Sequence, residues 1–232
     1  MSNINYKTAR SKEWQSFDEL WASLNKRMPY VVLRNFENLR NEIILSEHPD
    51  IDFLCRDRNE FLEVIHSVSR GKNINDPTHQ SITICGKKVD IDIRCVGDGY
   101  LDTRWEEDIL KTRELSEGGF YVPSPSHYYY SLLYHVLIQK KTIAYDYRVK
   151  LKKLGRSVHV LADDVMSIDI LQNFMRDNGY LYTYPENSNT IANFNNVDKS
   201  LIKRDLVKYI KRKYVSFRKK IIKMIKQNGR KD

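Results

Sequence analysis

The stretch His48-Pro49-Asp50-Ile51-Asp52-Phe53-Leu54-Cys55 limits what this chain can become more than any other. Its apolar and acidic residues alternate, which predicts a β-strand whose side chains point to opposite faces in turn. Asp50 and Asp52 then share one face, roughly 6–7 Å apart, while Ile51, Phe53 and Cys55 point the other way. With another carboxylate close by, such a face suits Mg²⁺, a hard cation that takes oxygen ligands together with bound phosphates.

A source for that carboxylate lies downstream. Ser81-Ile82-Thr83-Ile84-Cys85 and Val89-Asp90-Ile91-Asp92-Ile93-Arg94-Cys95 are alternating runs separated by Gly86-Lys87-Lys88, the pattern of a β-hairpin. The second run puts Val89, Ile91, Ile93 and Cys95 on one face and Asp90, Asp92 and Arg94 on the other.

Around these strands the periodicity predicts further elements. Trp14, Phe17, Leu20, Trp21 and Leu24 mark an amphipathic helix over residues 13–26. Tyr30-Val31-Val32-Leu33 reads as a buried strand with Arg34 and Asn35 at its C-terminal end. Residues 36–47 read as a short helix or loop, 57–69 as a helix packed on the sheet, and 73–78 as a loop. A turn at 97–99 is followed by a helix around Trp105, a loop at Gly118-Gly119, and an almost wholly apolar helix from Pro125 to about residue 141, capped by Ser124. Two more helices, near 145–154 and 164–178, are expected to stop at Gly155 and Gly179. Residues 180–195 read as irregular or a short hairpin, and about 201–227 as a final helix with Ile210, Tyr214, Phe217, Ile221 and Ile225 in a stripe.

Composition narrows the class. The 232 residues are 41% hydrophobic and 30% charged, which suits a globular chain with a real core. No run approaches ~18 apolar residues and the start lacks a signal-peptide apolar region, so a cytoplasmic location is expected. Cys55, Cys85 and Cys95 form no Cys-x-x-Cys pair and read as reduced core residues in strands. The net charge of +9 is uneven: residues 201–232 hold thirteen Lys and Arg against two Asp, leaving the remainder at −2. Any argument for nucleic-acid or membrane contact therefore belongs to that segment.

The order helix, strand, acidic strand, helix, then a hairpin with an acid on its second strand and a helical region, resembles the nucleotidyltransferase superfamily of DNA polymerase β. The Asp-x-Asp pair matches Asp50 and Asp52, and the Asp-Ile-Arg ending assigns the third carboxylate to Asp92, with Asp90 as the alternative. The stretches 30–39 and 126–135 are also similar to bacterial nucleotidyltransferase-like proteins associated with cell-surface polysaccharide synthesis. The resemblance implies an α+β fold: a nucleotidyltransferase palm, a mixed sheet with flanking helices, over residues 1–103. A mainly helical domain at 104–200 would close over substrate, and a basic amphipathic helix would occupy 201–232. It further implies transfer of a nucleotidyl or substituted phosphoryl group from a nucleotide or CDP-linked donor to a sugar or glycan hydroxyl. Two Mg²⁺ ions, with Mn²⁺ as a substitute, would sit on Asp50, Asp52 and Asp92. Where the family carries a small Gly-Ser pair after the first strand, this chain has Leu33-Arg34-Asn35. Asn tolerates a left-handed turn and Arg offers a fork to phosphate, so Arg34 and Asn35 are the expected phosphate contacts.

Other residues carry two readings each. Arg94 either pairs with the acids or touches phosphate. His127 is a candidate sugar or phosphate contact, or else a cap or core residue, and Lys140 is a candidate contact at a helix end that favours cations anyway. Residues 201–232 either pack through Ile210, Tyr214, Phe217 and Ile221, or meet anionic lipid at the inner face of the membrane, or bind nucleic acid. The rival functions are an RNA-directed nucleotidyltransferase using that helix and a catalytically inactive binding protein of the same fold.

Overall fold

A computed structural model describes residues 13–37, 39, 50–70, 78–161, 165–187 and 190–228. The expectations for 38, 40–47 and 73–77, and for a helix start at Asp164, lie outside these residues. The fold is mixed α+β, with a five-stranded mixed sheet and, among the described residues, seven α-helices. The chain forms two compact units, Met1–Val96 with Trp105–Tyr128, and Gly97–Arg104 with Tyr129–Asp232. Residues 105–128, read from sequence with the helical part, thus group with the sheet.

In the first unit, α1 (Phe17–Arg27) starts at Ser16, whose side chain accepts the Glu19 N–H at 3.1 Å. The Glu19 carboxylate in turn accepts the Gln15 N–H at 2.8 Å, a reciprocal arrangement that satisfies donors at the helix start. The helix ends at Met28, which is extended, as the residue before a proline is driven to be. β1 (Tyr30–Arg34) and β2 (Asp50–Cys55) follow, then α2 (Arg58–Ile65), capped by Asp57 through the Glu60 N–H at 2.9 Å. After β3 (Val68–Ser69) come β4 (His79–Ile84) and β5 (Lys87–Cys95).

The strand order is β1-β2-β5-β4-β3; β2 and β5 are parallel, and the other pairs are antiparallel. The core lies on one face, where Tyr30, Val32, Ile51, Phe53, Cys55, Ile82, Ile84, Val89, Ile91 and Ile93 join Leu20, Trp21 and Leu24 of α1 and Phe61, Val64 and Ile65 of α2. Each such side chain contributes on the order of 1.5–3 kcal/mol by leaving water. Trp14 closes the edge, donating its indole N–H to the Ile65 carbonyl at 3.0 Å.

The hairpin turn is shorter than its spacing suggests. Cys85 (φ 48°) and Gly86 (φ 73°) form it alone, and β5 already starts at Lys87. Two consecutive positive-φ residues match the twist of the flanking strands, so the ladder runs to the turn instead of yielding three residues to it. Cys85 is accordingly an exposed turn residue, whereas Cys55 is buried and Cys95 half-buried; none of the three forms a disulfide.

α3 (Thr103–Lys111) leads to β6 (Glu114–Leu115) and β7 (Tyr121–Val122), a small hairpin where the sequence suggests only a loop. Two residues per strand are too few to show alternation. α4 (Pro125–Ile138) begins at the proline, with the Tyr128 N–H bonded to the Ser124 carbonyl at 2.8 Å.

In the second unit α5 (Tyr145–Ser157) does not stop at Gly155 but runs through it. A Cβ there would lie 2.7 Å from Cγ1 of Val165, so this glycine serves close packing rather than termination. α6 (Ile168–Asp177) does end before Gly179, whose φ is 67°. Its Phe174 ring stacks on Tyr130 at 3.8 Å. The described residues of 180–187 and 190–195 are irregular apart from a bridge between Tyr182 and Ile202, and α7 (Leu206–Asn228) follows the single turn Lys199–Leu201.

Candidate functional site

The sheet face opposite the core is where charge collects. Because β2 and β5 run parallel in register, Asp50 lies beside Asp90, Asp52 beside Asp92, and Leu54 beside Arg94. Adjacent strands are about 4.8 Å apart and side chains at paired positions share a face, so the four carboxylates form two neighbouring rows. On the outer side of β2, Arg34 is paired with Asp52 after an irregularity at Leu33 re-aims the end of β1. On the outer side of β5, His79 lies opposite Asp92 and Ser81 opposite Asp90.

Three guanidinium groups meet these acids. Arg34, 6% exposed, donates through Nη2 to Asp52 Oδ1, which is itself 5% exposed. Arg70, just past β3, holds Asp90 Oδ2 at 3.0 Å and also pairs with Asp92 Oδ1. Arg94 brings Nη2 to 3.9 Å from Asp92 Oδ2, and His79 Nε2 lies 3.8 Å from the same oxygen. Burial, and after it the neighbouring Asp52 carboxylate, push the Asp92 carboxyl above the usual aspartate range; His79, Arg94 and Arg70 pull the other way without cancelling this. Asp92 is therefore a better proton acceptor than an ordinary surface aspartate.

The segment leaving β1 turns sharply at Asn35, whose φ of 58° is the left-handed conformation its residue type tolerates. Two contacts set this segment against the start of α4. Tyr128 donates its hydroxyl hydrogen to Glu37 Oε1 at 2.7 Å, and its ring lies 4.6 Å from that of Phe36. Burial, and then Glu37, raise the Tyr128 hydroxyl well above its usual range, so it stays a donor.

The structure thus brings together Asp50, Asp52, Asp92, Arg34 and Arg94, with Asn35 directly following Arg34. His127 has a structural tie: its Nδ1 accepts the Trp105 indole N–H at 3.1 Å, and burial lowers its basicity, so the ring is kept neutral. Lys140 belongs to the second unit, exposed, two residues beyond α4. Sequence reasoning missed Arg70, His79 and the Tyr128–Glu37 contact. Nothing local marks them, because β3 has only two residues and their partners come from strand order.

The donor set fits a hard divalent cation chemically, being all carboxylate oxygen on one face. Among the described residues no group of three or more His, Cys, Asp or Glu is drawn together as a ligand set; Arg34 pairs with Asp52, and Arg70 with Asp90 and Asp92. No protein-family model matches the chain, no curated protein matches it, and no solved structure matches it.

Proposed function

We propose that this chain is a Mg²⁺-dependent transferase of the nucleotidyltransferase type, moving a nucleotidyl or substituted phosphoryl group onto a sugar or glycan hydroxyl. The observation that carries this reading is the in-register placement of Asp50 and Asp52 beside Asp90 and Asp92, bordered by Arg34, Arg70 and Arg94. Magnesium held by Asp50, Asp52 and Asp92 would screen phosphate charge and acidify the attacking hydroxyl.

The chain's own groups supply the rest. Arg34, released from Asp52, turns its fork to a phosphate oxygen, and the left-handed turn at Asn35 lets backbone follow closely. Arg94 offers a second cation at the same face, and Asp92 completes the carboxylate set and helps take the hydroxyl proton. The guanidinium–carboxylate pairs keep the face neutralised until a phosphate and a cation arrive together. A CDP-linked or nucleoside triphosphate donor that arrives as its Mg²⁺ complex brings both charges. The proposed setting is cell-surface polysaccharide synthesis.

A second reading, a non-catalytic binding protein of the same fold, is favoured by one observation: the arginines occupy the carboxylates that metal would need. Titration with Mg²⁺ and turnover with nucleoside triphosphates and CDP-linked alditols separate the two. In the transferase, Asp52→Asn and Asp92→Asn each lower turnover by at least about 100-fold and weaken Mg²⁺ binding. Binding of nucleotide without turnover across the panel supports the second reading, and Asp52→Asn with Mg²⁺ binding and turnover intact overturns the first.

A further inference from the structure

The helix α7 (Leu206–Asn228) is seated in reverse of an ordinary surface helix. Its sequence holds nine Lys and Arg and no Asp or Glu. At about 100° per residue, Leu206, Val207, Ile210, Tyr214, Phe217, Met224 and Ile225 fall within an arc of about 100°. A globular helix turns such an arc to its core, but here these side chains are 55–78% exposed, and Ile221 in the middle of the arc is half-buried. The other side of the helix is the one that docks. Arg212 donates to the backbone carbonyls of Pro185, Asn187 and Thr190, and Tyr209 packs edge-on against Tyr184 at 6.2 Å.

The border of the exposed arc is cationic. Lys211 and Arg218 flank one edge and Lys213 the other, all exposed. Lys213 and Leu206 also line a cavity of about 980 Å³ whose wall includes Lys199, Lys203, Arg204, Arg212 and Lys219, which widens the positive border.

We propose that α7 is an interfacial anchor that lies on an anionic bilayer, its apolar arc in the boundary between headgroups and acyl chains and its bordering cations at the phosphates. An apolar arc with Lys and Arg on both edges matches the two layers of such a surface. Nucleic acid would satisfy the cations and leave the arc in water. A second copy of the helix would cover the arc but set Lys211, Lys213 and Arg218 against their like, with no acid on the helix to offset them. The helix lies on the bilayer and does not cross it, since among the described residues no helix is long and apolar enough to span a membrane. This anchor stands whether or not the transfer reaction proposed above is correct.

Flotation of the full chain with vesicles tests it. The chain is expected to float with vesicles of phosphatidylglycerol mixed into phosphatidylcholine and to remain behind with phosphatidylcholine alone. The double variant I210S/F217S should weaken binding at least about tenfold, because the arc no longer gains from leaving water. Reversing Lys211, Lys213 and Arg218 to Glu should cost about fivefold or more per charge. The altered side chains are exposed, so far-ultraviolet dichroism and the urea midpoint should match the parent chain. As a second readout, Phe217→Trp should shift its emission to the blue when anionic vesicles are added. The proposal is overturned by absence of flotation, by flotation that I210S/F217S leaves undiminished, by a dimer that I210S/F217S dissociates, or by salt-sensitive RNA binding without vesicle binding.

Discussion

Asp92 sits where three demands conflict: burial, a like charge at Asp52, and the neighbouring His79 ring with the cations Arg94 and Arg70. Its carboxyl is held above the usual aspartate range, so the folded chain binds more protons than the unfolded one in the interval above the ordinary aspartate value. Stability contributed by this group is therefore lost as pH rises through that interval. In metal-free protein, urea unfolding across mildly acidic pH should show Asp92→Asn with the shallower decline. His127 yields a different prediction at the same scale. Its Nδ1 accepts the indole N–H of Trp105, a residue fully removed from solvent. His127→Ala removes that acceptor and should destabilise by about 1–3 kcal/mol, read from the urea midpoint, whatever it does to turnover. The shared face of Asp50 and Asp52, and that of Asp92 and Arg94, were legible because strand alternation assigns faces without knowledge of neighbours, whereas Arg34 meets Asp52 only through the irregularity at Leu33. Arg70 and His79 were not, since their roles arise from which strands pair.

The elements follow local rules where those rules are strong and depart where packing is stronger. Ser16, Asp57 and Ser167 each accept a backbone N–H at the start of a helix, as their side-chain oxygens favour. Gly155 breaks the expectation because helix propensity costs only about 1 kcal/mol at a glycine, less than the clash a side chain would meet. Gly155→Ala should therefore destabilise by about 1–3 kcal/mol through the contact with Val165, despite its better helix propensity. In a Val165→Ala background the same substitution should be neutral or stabilising, a coupling that a double-mutant cycle of urea midpoints measures. The hairpin turn departs for a comparable reason, the ladder of β4 and β5 extending until only Cys85 and Gly86 remain to reverse the chain.

For the molecule as a whole, one unit carries the acidic face and the other carries α7. A cation and donor that bind only the folded face stabilise it by about 2.7 kcal/mol at a hundred times Kd. The parent chain should thus melt higher with Mg²⁺ and the correct donor, and Asp52→Asn should lose that shift. The net charge of +9, read alone, would suggest a basic protein surface throughout; its confinement to residues 201–232 was visible in the sequence. Packing through Ile210, Tyr214, Phe217 and Ile221 was one sequence reading of that segment; the first three are exposed in the structure and Ile221 is half-buried.

Sequence alone determined the four longer strands β1, β2, β4 and β5, most helices and the face on which Asp50, Asp52, Asp90 and Asp92 sit, because those follow from periods of two and 3.6 residues and from caps that act within a few positions. Tertiary structure alone decided that Asp52 stands beside Asp92, that Arg70 reaches both Asp90 and Asp92, and that α7 turns its apolar arc outward. Register and docking depend on residues far apart in the chain, and no local pattern encodes which distant surface a given face will meet.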